Sequence, residues 1–241
     1  MAARVDARAL DASLRRLSQS PSESGLRDAL HEVLEACVHL FEVSGSGLMM
    51  ADEQGVLRYV VATDGPSQIL ESVQLEHGTG PCVDAFVQDE LVVSSDLNVD
   101  PRWPEVAARV APHGVVAVLG APIHLGRTPV GSLDVYVGTP CQWDAGLQRA
   151  LRRYGEVIDA MLAAALAAER AGELADQLNY ALDYRAPIER GVGYLMARDG
   201  LNREDAFRAL RTAARSSRRK IGDVAEDLLS TGLLPDEGPR G

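Results

Sequence analysis

Cys82 closes the run His77-Gly78-Thr79-Gly80-Pro81-Cys82, in which a Gly-Pro turn opens a short helix. A helix N-terminus lowers a thiol pKa, and a thiolate there would suit a redox sensor or a haem or metal ligand. A small residue packed into a tight turn is the plainer reading. His77, His113 and His124 fall near turns or strand ends and could ligate haem or a metal. No two of them have the close spacing of a metal motif, so no metal is expected. Asp96 and Asp134 could hydrogen-bond a ligand, although turn capping explains Asp96 equally well. Cys37 lies on an apolar helix face, and Trp103 and Tyr136 read as packing anchors. No catalytic constellation emerges: GTGPC lacks the Lys-Ser/Thr of a phosphate loop, and there is no Ser-His-Asp order or metalloprotease helix. The chain is not expected to be an enzyme.

A second chemistry comes from charge. The window Arg185 to Lys220 holds ten bases and four acids, a net of +6, in a chain whose net charge is −11. An acidic body with one basic segment points to an anionic partner for that segment alone. Arg211, Arg215 and Arg218 step by four and three, the spacing of one helix face, and Arg219 and Lys220 follow directly. Arg185 and Arg198 lie on the preceding helix or at its end. These seven residues are the candidate nucleic-acid contacts. A basic face alone grips any polyanion, so a DNA-binding helix-turn-helix repressor is the structural rival of an RNA binder.

The elements that position these groups follow from patterning. At 241 residues and 46% hydrophobic, the chain can bury a real core in one large or two small domains. No apolar run is long enough for a membrane span, the N-terminus lacks a secretory pattern, and three scattered cysteines make no disulfide framework. These features suggest a cytoplasmic protein with reduced thiols. Residues 1–26 read as polar, with Ser18 to Gly25 a linker or helix break. Apolar residues at Leu26, Leu30, Val33, Leu34, Cys37, Val38 and Phe41 then mark an amphipathic helix. Two strands joined by the turn DEQG, a short helix at VDAFVQ, a strand at LVVSSD, a helix after PRWP and a hairpin across GRTP come next. From Leu147 to Ala168 the apolar residues step by fours and threes, a heptad seam. Its first half should pack on the domain's own sheet, and its continuation through Leu174, Leu178 and Leu182 should pair with a second copy. Three short helices end the chain, the second capped by Asn202 with Asp205 three residues on, and Gly200 ends the first.

The ordered set Arg185-x-x-Ile188-Glu189-x-Gly191-x-Gly193-x-Leu195-Met196, Glu204-x-Ala206-Phe207-x-x-Leu210-Arg211 and Ser217-Arg218-Arg219-Lys220-Ile221-x-Asp223-Val224-Ala225 resembles the ANTAR domain. That resemblance implies a three-helix RNA-binding module of transcription antitermination regulators, which binds two successive RNA hairpins and so prevents an overlapping terminator. It also tilts the choice of polyanion to RNA. Tyr184 or Tyr194 could stack on unpaired bases while arginines hold phosphates. Where the family often has Ala-Lys-Gly, this chain has Gly191-Val192-Gly193, and Pro187 removes a backbone donor nearby. Those departures put a weaker or altered RNA preference in play.

Upstream, Gly78-x-Gly80-Pro81-Cys82, Val92-Val93-x-x-Asp96-Leu97, Asp100-Pro101-Arg102-Trp103-Pro104, Ala121-Pro122-Ile123 and Gly131-x-Leu133 together resemble a GAF domain. This implies an α+β sensory fold, a six-stranded antiparallel sheet between helices, that binds a small molecule and dimerises through flanking helices. The ligand is left open, and Cys82, His77, Asp96, His113 and His124 are its candidate contacts. The whole resembles GAF and ANTAR regulators of the actinobacterial type. The expected layout is an extension over 1–25, a GAF-like domain over 26–165, a helical or coiled-coil linker over 166–181, an ANTAR module over 182–232 and a flexible tail over 233–241. The expected protein is a homodimer that couples a small-molecule signal to paired RNA hairpins, with no membrane partner.

Overall fold

The structure, a computed structural model, describes residues 6–19, 25–52, 57–167, 173–235 and 237. Its front half is one antiparallel sheet of five strands: β1 Gly45–Ala51, β2 Leu57–Ala62, β3 Val92–Ser94, β4 Ala117–Leu125 and β5 Thr128–Val137, in the order β2-β1-β5-β4-β3. Five strands are found among the described residues where the family resemblance implies six. The stretch between β2 and β3 is spent on two helices instead. Of the DEQG turn between β1 and β2, Asp52 is described and pairs with Arg58 at 2.7 Å, and the rest lies outside the described residues.

Side chains alternate across the strands. Leu48, Met50, Leu119, Ile123, Leu133 and Val135 point into one layer, built from α1 Ala7–Gln19, α2 Leu26–Phe41 and α6 Ala145–Ala167. The expected seam residues Leu147, Leu151, Tyr154 and Ile158 are all buried there, so the first half of the seam is core of this domain. The continuation expected to pair two copies, from Ala168 through Leu182, lies outside the described side chains. One element corrects the reading of a polar N-terminus: Leu10, Leu14 and Leu17 bury one face of α1 in this same layer. Ser13 and Tyr154 hydroxyls meet at 2.7 Å, and Arg153 reaches Asp11 at 2.7 Å.

The other face of the sheet is covered by α3 Gly65–His77, α4 Pro81–Gln88 and α5 Pro104–Val110. Asp64 caps α3 through the Ser67 amide at 2.8 Å, and Gly78, with φ +69°, ends it. A positive φ is where glycine is favoured, so the Gly78 turn of the motif is a backbone requirement. Trp103 anchors α5: it is 1% exposed, donates from Nε1 to Asp84 Oδ2 at 2.9 Å and carries the Arg102 guanidinium 4.0 Å above its ring.

The C-terminal module is α7 Glu173–Asp199, α8 Arg203–Ser217 and α9 Ile221–Thr231. Helix α7 runs straight through Pro187, so the first module helix is continuous with the segment that leads into it. Both glycine departures sit inside it. At Gly191 a side chain would bring its Cβ within 3.2 Å of Ala225 Cβ, so glycine here serves the close approach of α7 to α9. Val192 is buried in the module's core. As expected, Asn202 Oδ1 accepts the Asp205 amide at 2.8 Å, and Gly200 adopts φ +71°. Removing that cap with Asn202→Ala should cost about 1 kcal/mol of unfolding free energy, measured as a drop in the urea midpoint.

The module rests on the α3–α4 side of the sheet. Met49, Leu57, Val83, Phe86 and Val87 form one apolar cluster with Ile188, Phe207 and Leu210. The rings of Phe86 and Phe207 meet edge to face, with centroids 6.1 Å apart.

Candidate sensory centre and nucleic-acid face

Ser67, Glu71 and Gln74 step by four and three along α3, so one face of that helix is polar, and that face is fully buried. It lies on the sheet where β1 and β5 pair Gly45 with Tyr136, Gly47 with Asp134 and Met49 with Ser132. A Cβ at Gly47 would overlap Glu71 Oε1 and lie 3.1 Å from Asp134 Oδ2, so the two carboxyls converge on one glycine. Around it, Ser67 Oγ, Ser132 Oγ and both oxygens of Glu71 and of Asp134 are buried without a hydrogen-bond partner. Buried polar groups left unpaired are costly, so six such atoms in one place mark a special environment.

Burial raises the Glu71 carboxyl from 4.5 to about 10, with Asp134 adding to the rise. The Leu48 amide opposes it without closing a hydrogen bond. Burial also raises Asp134, to about 7, against the pull of the Cys82 thiol and with the push of the Asp64 charge. Glu71 is therefore a neutral acid at pH 7, able to donate as well as accept. Tyr136 closes one end, its hydroxyl donating to Asp64 Oδ2 at 2.6 Å. Cys82 closes the other: its amide donates to Gln74 Oε1 at 2.8 Å, and Gln74 Nε2 reaches its sulfur at 3.0 Å.

Of the residues named from the sequence as possible ligand contacts, Asp134 lies in this centre and Cys82 reaches it, whereas His77, Asp96, His113 and His124 do not. The Cys82 thiol is not the depressed one that a helix N-terminus suggests. It is fully buried, and burial followed by the Asp134 charge pushes its pKa well up. His77 ends α3 with Nδ1 3.1 Å from Glu105 Oε2. His113 closes a short 3-10 turn on the surface, and Asp96 caps a turn by accepting the Asn98 amide at 3.0 Å. His124 lies in a groove by α6, its Nε2 2.7 Å from Asp89 and its amide on Asp159. Among the described residues no group of three or more His, Cys, Asp or Glu is placed to hold a metal ion. Ser67, Glu71 and Ser132 were not singled out by sequence reasoning. A surface groove between α1 and α2, lined by Arg16, His31, Glu35 and His39, lies on the opposite side of the sheet from this centre.

The basic candidates divide into four groups. Arg215 and Arg218 project from the last turn and C-cap of α8 into solvent, on a surface that also exposes Arg208. Arg219 pairs with Asp227 at 2.6 Å, and Lys220 is the N-cap residue of α9. Arg198 is held inside the module by Asp199, by Glu237 at 2.8 Å and by the Gly232 carbonyl at 2.7 Å. Glu237 of the expected tail thus has a fixed role. Arg185 and Arg211 face the front domain. Arg185 pairs with Glu189 and lies 5.9 Å from the Phe86 ring centre, while Arg211, 7% exposed, donates to the Gly78 carbonyl at 2.9 Å. Burial, with Arg215 and Arg208 nearby, pulls the Arg211 pKa below its usual value. Tyr194 is exposed beside Arg198, and the Tyr184 side chain lies outside the described residues.

A family model described as the GAF domain matches residues 25–162, and one described as the ANTAR domain matches residues 176–229. No curated protein sequence matches the chain. Among solved structures, the GAF domain of an Acinetobacter phosphoenolpyruvate-protein phosphotransferase is 18% identical, with a TM-score of 0.53 over 68% of this chain and 98% of that one. The corresponding Coxiella burnetii domain is 17% identical, with a TM-score of 0.52 over 67% and 95%. Free methionine-R-sulfoxide reductase from Neisseria meningitidis, solved with its substrate, is 15% identical, with a TM-score of 0.54 over 68% and 95%. At these identities the likeness is one of fold. No helix among the described residues is long and apolar enough to cross a membrane.

Proposed function

Because the chain belongs to the GAF-domain family and carries an ANTAR domain behind that sensory fold, we propose that it is a signal-responsive regulator of transcription antitermination. In this reading the C-terminal module binds paired hairpins of a nascent transcript in the cytoplasm. The front domain decides when it does so. The observation that carries the reading is the match across 176–229, together with the exposed arginines of α8. Arg215 and Arg218 are the proposed phosphate contacts, with Arg219 and Lys220 beside them. The signal site is the closed polar centre of Glu71, Asp134, Ser67 and Ser132, and its ligand is a small molecule with hydrogen-bond donors for those oxygens. Two chains pair through the helical segment between the domains.

Fluorescence anisotropy against a two-hairpin RNA, with scrambled RNA and duplex DNA as competitors, tests this directly. Selective binding of the paired hairpins is the expected result, and equal competition by duplex DNA would favour a DNA-binding repressor. Each phosphate neutralised contributes about 0.7 to 0.9 to the salt slope. Arg215→Ala combined with Arg218→Ala should lower that slope by about 1.4 to 1.8. An unchanged slope removes both residues from the interface. Light scattering of the free and RNA-bound protein reads the dimer, and a monomer in both states rejects it.

A further inference from the structure

Helices α3 and α4 both end against the C-terminal module. The last carbonyls of a helix lack intrahelical partners and carry the negative end of its dipole. Gly78, the C-cap residue of α3, accepts Arg211 Nη2 at 2.9 Å, and Val87, in the last turn of α4, accepts Arg203 Nε at 2.9 Å. Arg203 has Glu189 as a second partner at 2.8 Å, whereas for Arg211 the Gly78 carbonyl is the hydrogen-bond acceptor found among the described residues. A guanidinium buried on a carbonyl is not available to a phosphate. Arg211 shares its helix face with Arg215, and Arg208 lies one turn before it, so the docked front domain covers part of the same basic surface.

We propose that this docked arrangement is an RNA-silent state, in which the C-terminal ends of α3 and α4 compete with RNA phosphates for Arg211 and Arg203. The proposal rests on the reading of the module as an RNA binder. Helix α3 is the lever. Its first two turns carry Ser67 and Glu71 of the signal centre, and its end carries the Arg211 anchor. Glu71 and Asp134 already crowd Gly47, so a ligand that enters must move α3 off the sheet, and Gly78 moves with it.

Two full-length variants release the module without touching its RNA face. In Gly78→Ala the new Cβ overlaps the Arg211 guanidinium. Phe86→Ala removes the ring that packs on Phe207. Amide exchange over α4 reads the undocking, and anisotropy with the two-hairpin RNA reads binding. Exchange over α4 should accelerate and RNA affinity should rise about tenfold in both variants, with melting curves that remain cooperative. Faster exchange with RNA affinity equal to that of the unaltered protein overturns the RNA-silent state and leaves RNA binding standing. Faster exchange with no RNA bound by any form, at any salt, overturns both. If Gly78→Ala fails to fold, Phe86→Ala decides the question alone.

Discussion

Glu71→Gln is expected to make the protein more stable above neutral pH and to flatten its stability against pH. The sign follows from the direction of the shift. Burial, with the Asp134 charge, raises the folded-state pKa of Glu71 from 4.5 to about 10, so between those values the folded chain holds a proton that the unfolded chain has released. The contribution of this group is complete below pH 4.5 and is lost as pH rises towards 10, at up to about 1.4 kcal/mol per pH unit. Glutamine keeps the shape and the donor but cannot ionise. Relative to the unaltered protein it should gain about 2 to 3 kcal/mol between pH 6 and pH 8, read by urea unfolding at several pH values. Asp134 shifts in the same direction, with its window ending near pH 7, and it is present in both proteins. Parallel curves from pH 6 to 9 would show that Glu71 is already ionised in the folded chain and that the centre is not closed.

Trp103→Ala should produce the largest loss of stability, about 3 to 5 kcal/mol. The indole is the largest fully buried side chain, and its removal leaves a cavity between α5 and the sheet. It also removes the N–H that Asp84 Oδ2 accepts, while Asp84 Oδ1 has no partner. Asp84 is held up near 7 by burial and by Glu204 of the C-terminal module, so losing a donor strands it further. Trp103→Phe separates the two effects: most of the packing returns, and the remaining loss, about 1 to 3 kcal/mol, reports the stranded carboxyl. Urea midpoints for the pair measure both. A loss under 1 kcal/mol for the alanine variant would mean that the loop before α5 does not close the core.

The sheet, α2, α6 and the three-helix module were legible because their buried faces are apolar and repeat with the period of the element. Helix α3 was not, for a physical reason: of its buried positions Ser67, Leu70, Glu71, Val73 and Gln74, three are polar, so its buried face carries no continuous apolar stripe. The signal centre stayed hidden with it. Asp134 reads as a possible ligand contact from sequence, but its convergence with Glu71 depends on the strand register that sets Gly47 opposite it. Helix α1 was obscured by charge, since Leu10, Leu14 and Leu17 are separated by arginines and acids that face solvent. The arginines of the module were read correctly as basic. Which of them face water and which face the front domain is decided by tertiary packing, and nothing local to Arg211 distinguishes it from Arg215.

Both anchors of the docked module end on main-chain oxygens, those of Gly78 and Val87. Every amino acid carries such an oxygen, so exchanging one residue for another at either position leaves the acceptor in place. Substitution at either of these two positions can break its hydrogen bond only by pushing bulk against the guanidinium or by rerouting the chain. The side chains at these two positions therefore do not set the two hydrogen bonds, whereas a one-residue insertion or deletion in the Gly78–Pro81 turn would shift the phase of α3 against α4 and let go of both arginines at once. Lineages that need a looser or tighter response should differ here in loop length before they differ in residue type.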